Sequence, residues 1–346
     1  MHQGLQPGTL LKERYEILSL IGQGGMGAVY KASDRRLPGR LCAIKEVLPL
    51  PSPSAGALTQ AQEQFLREAS TLARLDHPNL PKVSDYFALA PHELAEPGGA
   101  DLSPSAPSRD YLVMDYVPGQ DLHQVVQQAH REQRFLDQRE VLGWMAQLCD
   151  ALSYLHSQKP PVLHRDIKPG NIKLTPEGRI KLVDFGLVKP LDPDDPKTLT
   201  GMRGIGSLPY TPIEQYAGEL GHTDTRSDLY SLGATLYHLL TGHPPASAQD
   251  RFLDPDALVP PRQTNPAIAP AVERAILAAL ALHPKERPAS VADWSKMLLG
   301  DAPTIPVAVR PAASGWGQAV RQNAWLLLAA LALIAAAVFL TFASPF

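Results

Sequence analysis

The first third of the chain alternates short β-branched or aromatic runs with Gly, Pro and Asp: Tyr15–Ile21, Ala28–Ala32, Leu41–Val47, Val83–Leu89 and Tyr111–Tyr116. Runs of this kind predict strands. Gln60–Leu75 instead carries Phe65, Ala69, Leu72 and Leu75 on one helical stripe, and Arg139–Ser157 repeats the stripe at Val141, Met145, Leu148, Leu152 and Leu155. Beyond Asp224 the pattern stays helical, over Leu229–Thr241, Ala271–Leu282 and Val291–Leu299. A strand-rich start followed by a helix-rich remainder predicts an α+β protein with two lobes. Ala324–Ala343 is different again: 20 residues without a charge, apolar on every face. At 1.5 Å per residue that length matches the ~30 Å hydrocarbon core of a bilayer, so the segment is expected to be a transmembrane helix. Arg310 and Arg321 precede it and no cation follows. The bias of basic residues toward the cytoplasm then predicts a tail anchor in the cell membrane, with the large N-terminal part cytoplasmic.

Pro-, Gly- and Ser-rich stretches divide these elements. Residues 300–323 read as a juxtamembrane linker. Ala90–Asp110, with four prolines, a Gly-Gly pair and three serines, reads as a disordered insertion. The expected organisation is an N-terminal extension over 1–14, a domain over 15–299 with lobes at 15–114 and 118–299, the linker, and the span.

Charge and composition narrow the function class. Against 35 acidic residues stand 32 Lys and Arg, formally −3, so no broad basic surface for nucleic acid is expected. Two cysteines, Cys42 and Cys149, exclude a disulfide framework.

Gly22, Gly24, Gly25 and Gly27 form a glycine-rich turn before Ala28-Val29. Such turns let backbone N–H groups approach phosphates. The same spacing marks dinucleotide folds, but those require a helix after the glycines, and Ala28–Ala32 reads as a strand. Lys45 follows in the next strand. Taken alone it is an exposed strand residue, and Glu68 alone is a solvated helix carboxylate. Together they make a charge-assisted pair able to aim an ammonium at phosphate oxygens. The decisive run is His164-Arg165-Asp166-Ile167-Lys168-Pro169-Gly170-Asn171, followed by Asp184-Phe185-Gly186. Phosphoryl transfer needs an acid to orient a hydroxyl, a cation near the transferred group, and oxygen ligands for Mg²⁺. Asp166, Lys168, and Asn171 with Asp184 are the right types.

These motifs, in this order over roughly Tyr15 to Leu299, resemble the eukaryotic-type (Hanks-type) serine/threonine protein kinases, of the membrane-anchored bacterial kind. The resemblance implies a small antiparallel sheet with one helix above a mainly helical lobe, ATP as phosphate donor, Mg²⁺ (with Mn²⁺ as an alternative), and protein substrates bearing Ser or Thr. By position, Gly22, Gly24 and Gly27 cover the phosphates, Ile21 and Gly25 join them in binding the nucleotide, and Val29 and Ala43 pack adenine. Lys45 meets the α/β-phosphates and pairs with Glu68. Met114 is the gatekeeper, and Asp115 to Val117 form the hinge. Asp166 orients the substrate hydroxyl, Lys168 steadies the γ-phosphate, and Asn171 and Asp184 hold metal. Leu72, Val83, His164 and Phe185 fall on the family's regulatory apolar column. Ser207 stands where the family usually has a threonine. Arg165 implies control by phosphorylation at Thr198 or Thr200, and a homodimer would serve trans-phosphorylation.

Three departures stand out. The usual Ala-Pro-Glu reads Pro212-Ile213-Glu214, keeping the glutamate whose partner would be Arg287. Lys173 occupies a position normally apolar beneath adenine. The proline-rich segment 242–270 implies that the next helix is short or absent. Two other readings share the core: a pseudokinase scaffold, against which Lys45, Asp166 and Asp184 all survive, and a small-molecule phosphotransferase, against which the segment Ser207 to Glu214 and Arg287 count.

Overall fold

The computed structural model describes residues 4–24, 27–47, 66, 69–90, 108–184, 205–216 and 223–300. The chain divides into two compact units, Met1–Thr304 and Ile305–Phe346. All described residues belong to the first. The expected membrane span, the linker beyond Gly300, and most of the 90–110 insertion lie outside the described residues. Among those described, no helix is long and apolar enough to cross a membrane.

Six strands form one antiparallel sheet in the order β1-β2-β3-β4-β6-β5: β1 Leu10–Leu11, β2 Tyr15–Gly24, β3 Gly27–Asp34, β4 Leu41–Val47, β5 Val83–Leu89 and β6 Arg109–Asp115. Period-two alternation decides which side chains face which way. On β4 and β6, Cys42, Ile44, Tyr111 and Val113 join an outer cluster with Tyr15, Ile17 and Tyr30. Their neighbours Ala43, Val47, Leu112 and Met114 join the main core with Leu72, Leu75 and Leu80. Lys45, two residues after Ala43, therefore shares the inner face.

Two boundaries differ from expectation. Leu5 and Leu11, placed by the sequence pattern in an extension, are buried in the outer cluster. The Leu5 amide donates to Tyr30 Oη (2.9 Å), and β1 pairs with β2. Apolar residues there are too sparse to register as a strand, yet they close the sheet's outer face. Arg109 and Asp110, assigned to the insertion, pair with Leu89 and Ala88.

After the connector 116–118 comes a small sheet, β7 Gln120–Asp121, β8 Ile172–Leu174 and β9 Ile180–Leu182. Gly119 enters it at φ 108°, where a Cβ would lie 2.0 Å from the Leu174 carbonyl oxygen, so only glycine fits. The helices are α1, described over residues 69–73, then α2 Leu122–Arg131, α3 Gln138–His156, α4 Thr225–Thr241, α5 Ala248–Leu253, α6 Pro261–Thr264, α7 Pro270–Ala279 and α8 Val291–Leu299. Asp121, Asp137, Asp224, Ser247 and Ser290 each cap a helix by accepting a backbone N–H. The expected helix at Leu229 begins four residues earlier, behind the Asp224 cap, and is buried from Ser227 to Thr241. It is the axis against which α3, α7 and α8 pack. The proline-rich segment holds only the short α5 and α6, as expected. Helix α2 is short and largely polar, and the sequence pattern missed it.

Candidate active site

A cleft of about 420 Å³ runs between the large sheet and the helical lobe, lined among others by Ile21, Gly22, Val29, Ala43, Met114 and Val117. The β2–β3 hairpin forms its roof. Gly27 sits there at φ 144°, and a Cβ would meet the Glu46 carbonyl oxygen at 1.9 Å. Gly22 and Gly24 pair across the hairpin with Val29 and Gly27, so the glycine turn lies between strands, as the sequence reading required. Gly25 lies outside the described residues.

Lys45 and Asp184, distant in sequence, meet inside the cleft as a hydrogen-bonded ion pair. Glu68, the expected partner of Lys45, lies outside the described residues, as do Phe185, Thr198 and Thr200. Leu72, Val83 and His164 are buried. Burial holds the His164 imidazole well below its ordinary pKa, so it is neutral in the core.

Asp166 is the centre of the second cluster. Its Oδ2 accepts from Lys168 Nζ (2.9 Å) and from Asn171 Nδ2 (2.9 Å). Asn171 Nδ2 also donates to the Asp166 carbonyl (2.8 Å). With its amide nitrogen committed to Asp166, Asn171 has its amide oxygen left for a cation. Lys168 Nζ further donates to Ser207 Oγ (2.8 Å). The lysine thereby ties Asp166 to the segment Ile205–Tyr210, a 3₁₀ turn. Ser207 and Thr211 are both buried.

Among the described residues no group of three or more His, Cys, Asp or Glu side chains could enclose a metal ion. One carboxylate and one amide oxygen, Asp184 and Asn171, instead suit a hard divalent ion that takes its remaining ligands from phosphate and water. Burial pushes the Cys42 and Cys149 thiols up to about 11 and about 12, so neither is a nucleophile near neutral pH.

The sequence reading missed what holds this cluster rigid. Arg165 and Asp184 both adopt left-handed backbone, φ 65° and 60°, a conformation that costs non-glycine residues and persists only when the surroundings enforce it. For Arg165 the enforcer is Asp228, fully buried at the start of α4. Its carboxylate accepts from the His164 amide (2.9 Å) and the Arg165 amide (2.8 Å), and pairs with His156 Nε2 (2.9 Å). Burial alone would raise the Asp228 pKa, but the His156 hydrogen bond and charge, with the backbone donors, outweigh it and hold it low. Asp228 therefore stays ionised and clamps the loop carrying Asp166. The available signal was a carboxylate immediately ahead of the helical pattern that begins at Leu229. A second clamp is Asn79, whose Nδ2 donates to Gln147 Oε1 (2.9 Å) and the Ile180 carbonyl (2.8 Å), joining the segment before β5 to α3 and β9.

Below the cleft, Glu214 and Arg287 form a bidentate pair, at 2.7 and 3.0 Å. Arg287 also donates to the carbonyls of Ala281, Arg226 and Leu282, and Ser227 Oγ donates to Glu214 (2.8 Å). The Pro212-Ile213-Glu214 variant thus keeps its anchoring pair.

The family model "Protein kinase domain" matches residues 15–289. A probable serine/threonine-protein kinase PknB of Bifidobacterium longum is 38% identical over 242 residues, covering 69% of this chain and 32% of that protein. Serine/threonine-protein kinase PknA of Mycobacterium tuberculosis is 34% identical over 283 residues, covering 81% and 59%. The chain thus spans from a third to three fifths of the length of these relatives. Among solved structures, PpkA-294 in its apo form has a TM-score of 0.65 at 26% identity, over 85% of this chain and 99% of that one. The Mycobacterium tuberculosis PknI kinase domain has a TM-score of 0.61 at 28% identity, over 86% and 98%. With a nucleotide-sized cleft between the sheet and the helical lobe, Lys45, Asn171 and Asp184 lining it, and Asp166 hydrogen-bonded to Asn171, the chain belongs to the eukaryotic-type (Hanks-type) serine/threonine protein kinases.

Proposed function

We propose that this chain transfers the γ-phosphate of ATP to Ser or Thr hydroxyls of proteins, with Mg²⁺ as the accompanying ion. The observation that carries the reading is the Asp166–Lys168–Ser207 chain of hydrogen bonds, tied through Asp166 to Asn171 on the cleft that holds the Lys45–Asp184 pair. Asp166 is placed to accept the hydroxyl proton, and Lys168 to counter charge on the transferred group. Lys45 would bind phosphate oxygens, and Asp184, its present partner, would hold the ion. A divalent ion held by Asn171 and Asp184 would neutralise charge between the phosphates.

Regulation by activation-loop phosphate at Thr198 or Thr200 belongs to the same proposal. Its support is Arg165, whose Nε is buried with no hydrogen-bond partner among the described residues. A buried guanidinium nitrogen in that state favours an anion beside it. Anchoring by residues 324–343, with the catalytic domain on the cytoplasmic side, rests on the apolar length and the flanking arginines. Concentration in the membrane plane would promote phosphorylation between copies.

The test is residue-resolved phosphate mapping after incubation of the full chain with Mg-ATP, beside Asp184→Ala. Phosphate on Thr198 or Thr200 in the parent alone supports the reading. No phosphate in either sample, with no transfer to a generic protein substrate, defeats it.

A further inference from the structure

Away from the nucleotide cleft, a second cavity of about 370 Å³ opens where the C-terminal half of α2 meets the end of α4. That volume falls within the range of small-molecule sites, about 300–1,000 Å³. Its apolar walls come from Val126 and Ala129 of α2, Leu136 of the following loop and Leu239 of α4, all four buried. Phe135, a large apolar side chain on the same lining, stays exposed. His130, Arg134 and His243 also line the cavity and reach solvent, so donors stand at its mouth. No Asp or Glu is among the described residues that line it.

Two turns hold these groups in place. Helix α2 is capped at Glu132, and Gln133 then reverses the chain in left-handed backbone at φ 52°. The Arg134 amide thereby donates to the Ala129 carbonyl (3.0 Å). On the other side Gly242 ends α4 at φ 79°, and Thr241 Oγ1 meets the carbonyls of Tyr237 and His243 at 2.7 and 2.9 Å. The turns bring the His130 and His243 rings to 5.4 Å between centroids, edge to face. An imidazole carries at least one N–H donor in either protonation state. Arg134 Nε donates to Glu132 Oε2 (2.7 Å), which leaves both terminal guanidinium nitrogens to grip a further acceptor. That Arg134–Glu132 pair is exposed, so rearranging it costs little.

These surfaces select a ligand. A cation would meet no carboxylate on the described lining. A wholly apolar molecule would cover the donors at the mouth without satisfying them. A molecule that is apolar over its body and anionic at one end matches both surfaces. We propose that this cavity is a second ligand site, for a small apolar carboxylate. Its body lies against Val126, Ala129, Leu136 and Leu239, and its carboxylate accepts from His130, Arg134 and His243. No residue lining this cavity lines the nucleotide cleft, so the proposal stands apart from the phosphoryl-transfer reading.

The experiment is titration calorimetry on the full chain held in excess Mg-ADP. The probes are 2-naphthoate and 2-naphthamide, its uncharged counterpart. 2-Naphthoate should saturate a single site per chain, and 2-naphthamide should bind about fivefold or more weakly. Arg134→Gln, at an exposed position, should weaken 2-naphthoate by about fivefold and leave 2-naphthamide within about twofold. Ala129→Leu adds bulk to the cavity wall and, once its thermal midpoint shows it folded, should weaken both probes by more than about tenfold. The inference is overturned by a parent that shows no saturable 2-naphthoate binding, or that binds the two probes equally. It is also overturned if 2-naphthoate binding survives both substitutions, or occurs only when Mg-ADP is left out and the cleft is open to the probe. A chain that binds 2-naphthoate with these dependences but takes up no ADP would defeat the phosphoryl-transfer reading and leave this site standing.

Discussion

Two cation–carboxylate arrangements in this molecule are built from the same chemistry and do opposite work. Below the cleft, Arg287 and Glu214 are buried, at 0% and 8% side-chain exposure. The arginine has three backbone carbonyls besides its carboxylate. In the cleft, Lys45 and Asp184 are exposed at 15% and 41%, and behind Asn171 on its wall Lys168 and Asp166 are exposed at 26% and 27%. The closed pair is saturated, so losing one member strands a charge away from water. The open pairs face solvent, which screens them and reduces their value to stability, and leaves them able to exchange partners when substrate arrives. Saturation gives rigidity, and exposure gives function.

The widest effect expected from breaking this contrast is at Asp166. Asp166→Asn keeps the shape and removes the proton acceptor, so the phosphorylation rate should fall by about 10³-fold or more, equivalent to about 4 kcal/mol. The thermal midpoint should stay within about 2 °C, since a partly exposed pair contributes little to folding. A phosphate-incorporation assay beside a thermal melt checks both halves, and a large loss of stability would erase the distinction. Arg287→Met should behave oppositely. Breaking one side of the buried pair is expected to cost about 3–5 kcal/mol in denaturant unfolding. The double variant Glu214→Leu with Arg287→Met should lose less than the single one, because no charge is stranded. If the single change costs under about 1 kcal/mol, the saturation argument fails.

The same contrast explains which parts could be read from the chain. Asp166, Lys168 and Asn171 lie within six residues of one another, so their chemistry is visible as a motif. The period-two alternation of β4 and β6 likewise shows directly as strands. What stayed hidden depends on distant partners. Asp228 looks like a polar residue ahead of a helix until the backbone of His164 and Arg165 arrives on it. Lys173 reads as an oddity until β7 places Asp121 across from it. Leu5 and Leu11 carry no periodicity, and their role exists only once Tyr30 and Tyr111 form a face to cover. Helix α2 announces itself through a capping box at Asp121 and Gln124 rather than through its mixed stripe. Glu68, Thr198 and Thr200 lie outside the described residues, so for them the sequence remains the source.

A third test concerns a buried group with no opposite charge. His238, inside α4, shares a hydrogen bond between Nδ1 and Tyr210 Oη (2.5 Å), and His123 faces it at 6.1 Å between ring centroids. Burial, with His123 and His243 nearby, lowers its pKa to about 4. The folded protein thus keeps His238 neutral where the unfolded chain, near 6.5, takes up a proton. The unfolded state binds more protons between those values, so stability is full above about pH 6.5 and falls as pH drops toward 4. The loss should reach roughly 3 kcal/mol, from about 2.5 pKa units at 1.36 kcal/mol each. His238→Gln should flatten the unfolding free energy across that window, and an unchanged slope would assign the acid sensitivity elsewhere.

The smallest effect lies where the open cluster touches the rest of the protein. Ser207 Oγ accepts from Lys168 Nζ at 2.8 Å, and Ser207 is itself buried. Ser207→Ala removes one acceptor from an ammonium that retains Asp166, a loss of about 1.5 kcal/mol or near tenfold. That loss should fall on kcat with little change in KM for ATP if Lys168 has its proposed role at the transferred group and not at the base. Ser207→Thr keeps the hydroxyl and should return activity to within about threefold of the parent. If Ser207→Ala instead destabilised the fold by several kcal/mol while leaving kcat intact, the hydroxyl would belong with the closed Glu214–Arg287 pair. The line between the two kinds of site would then run between Lys168 and Ser207.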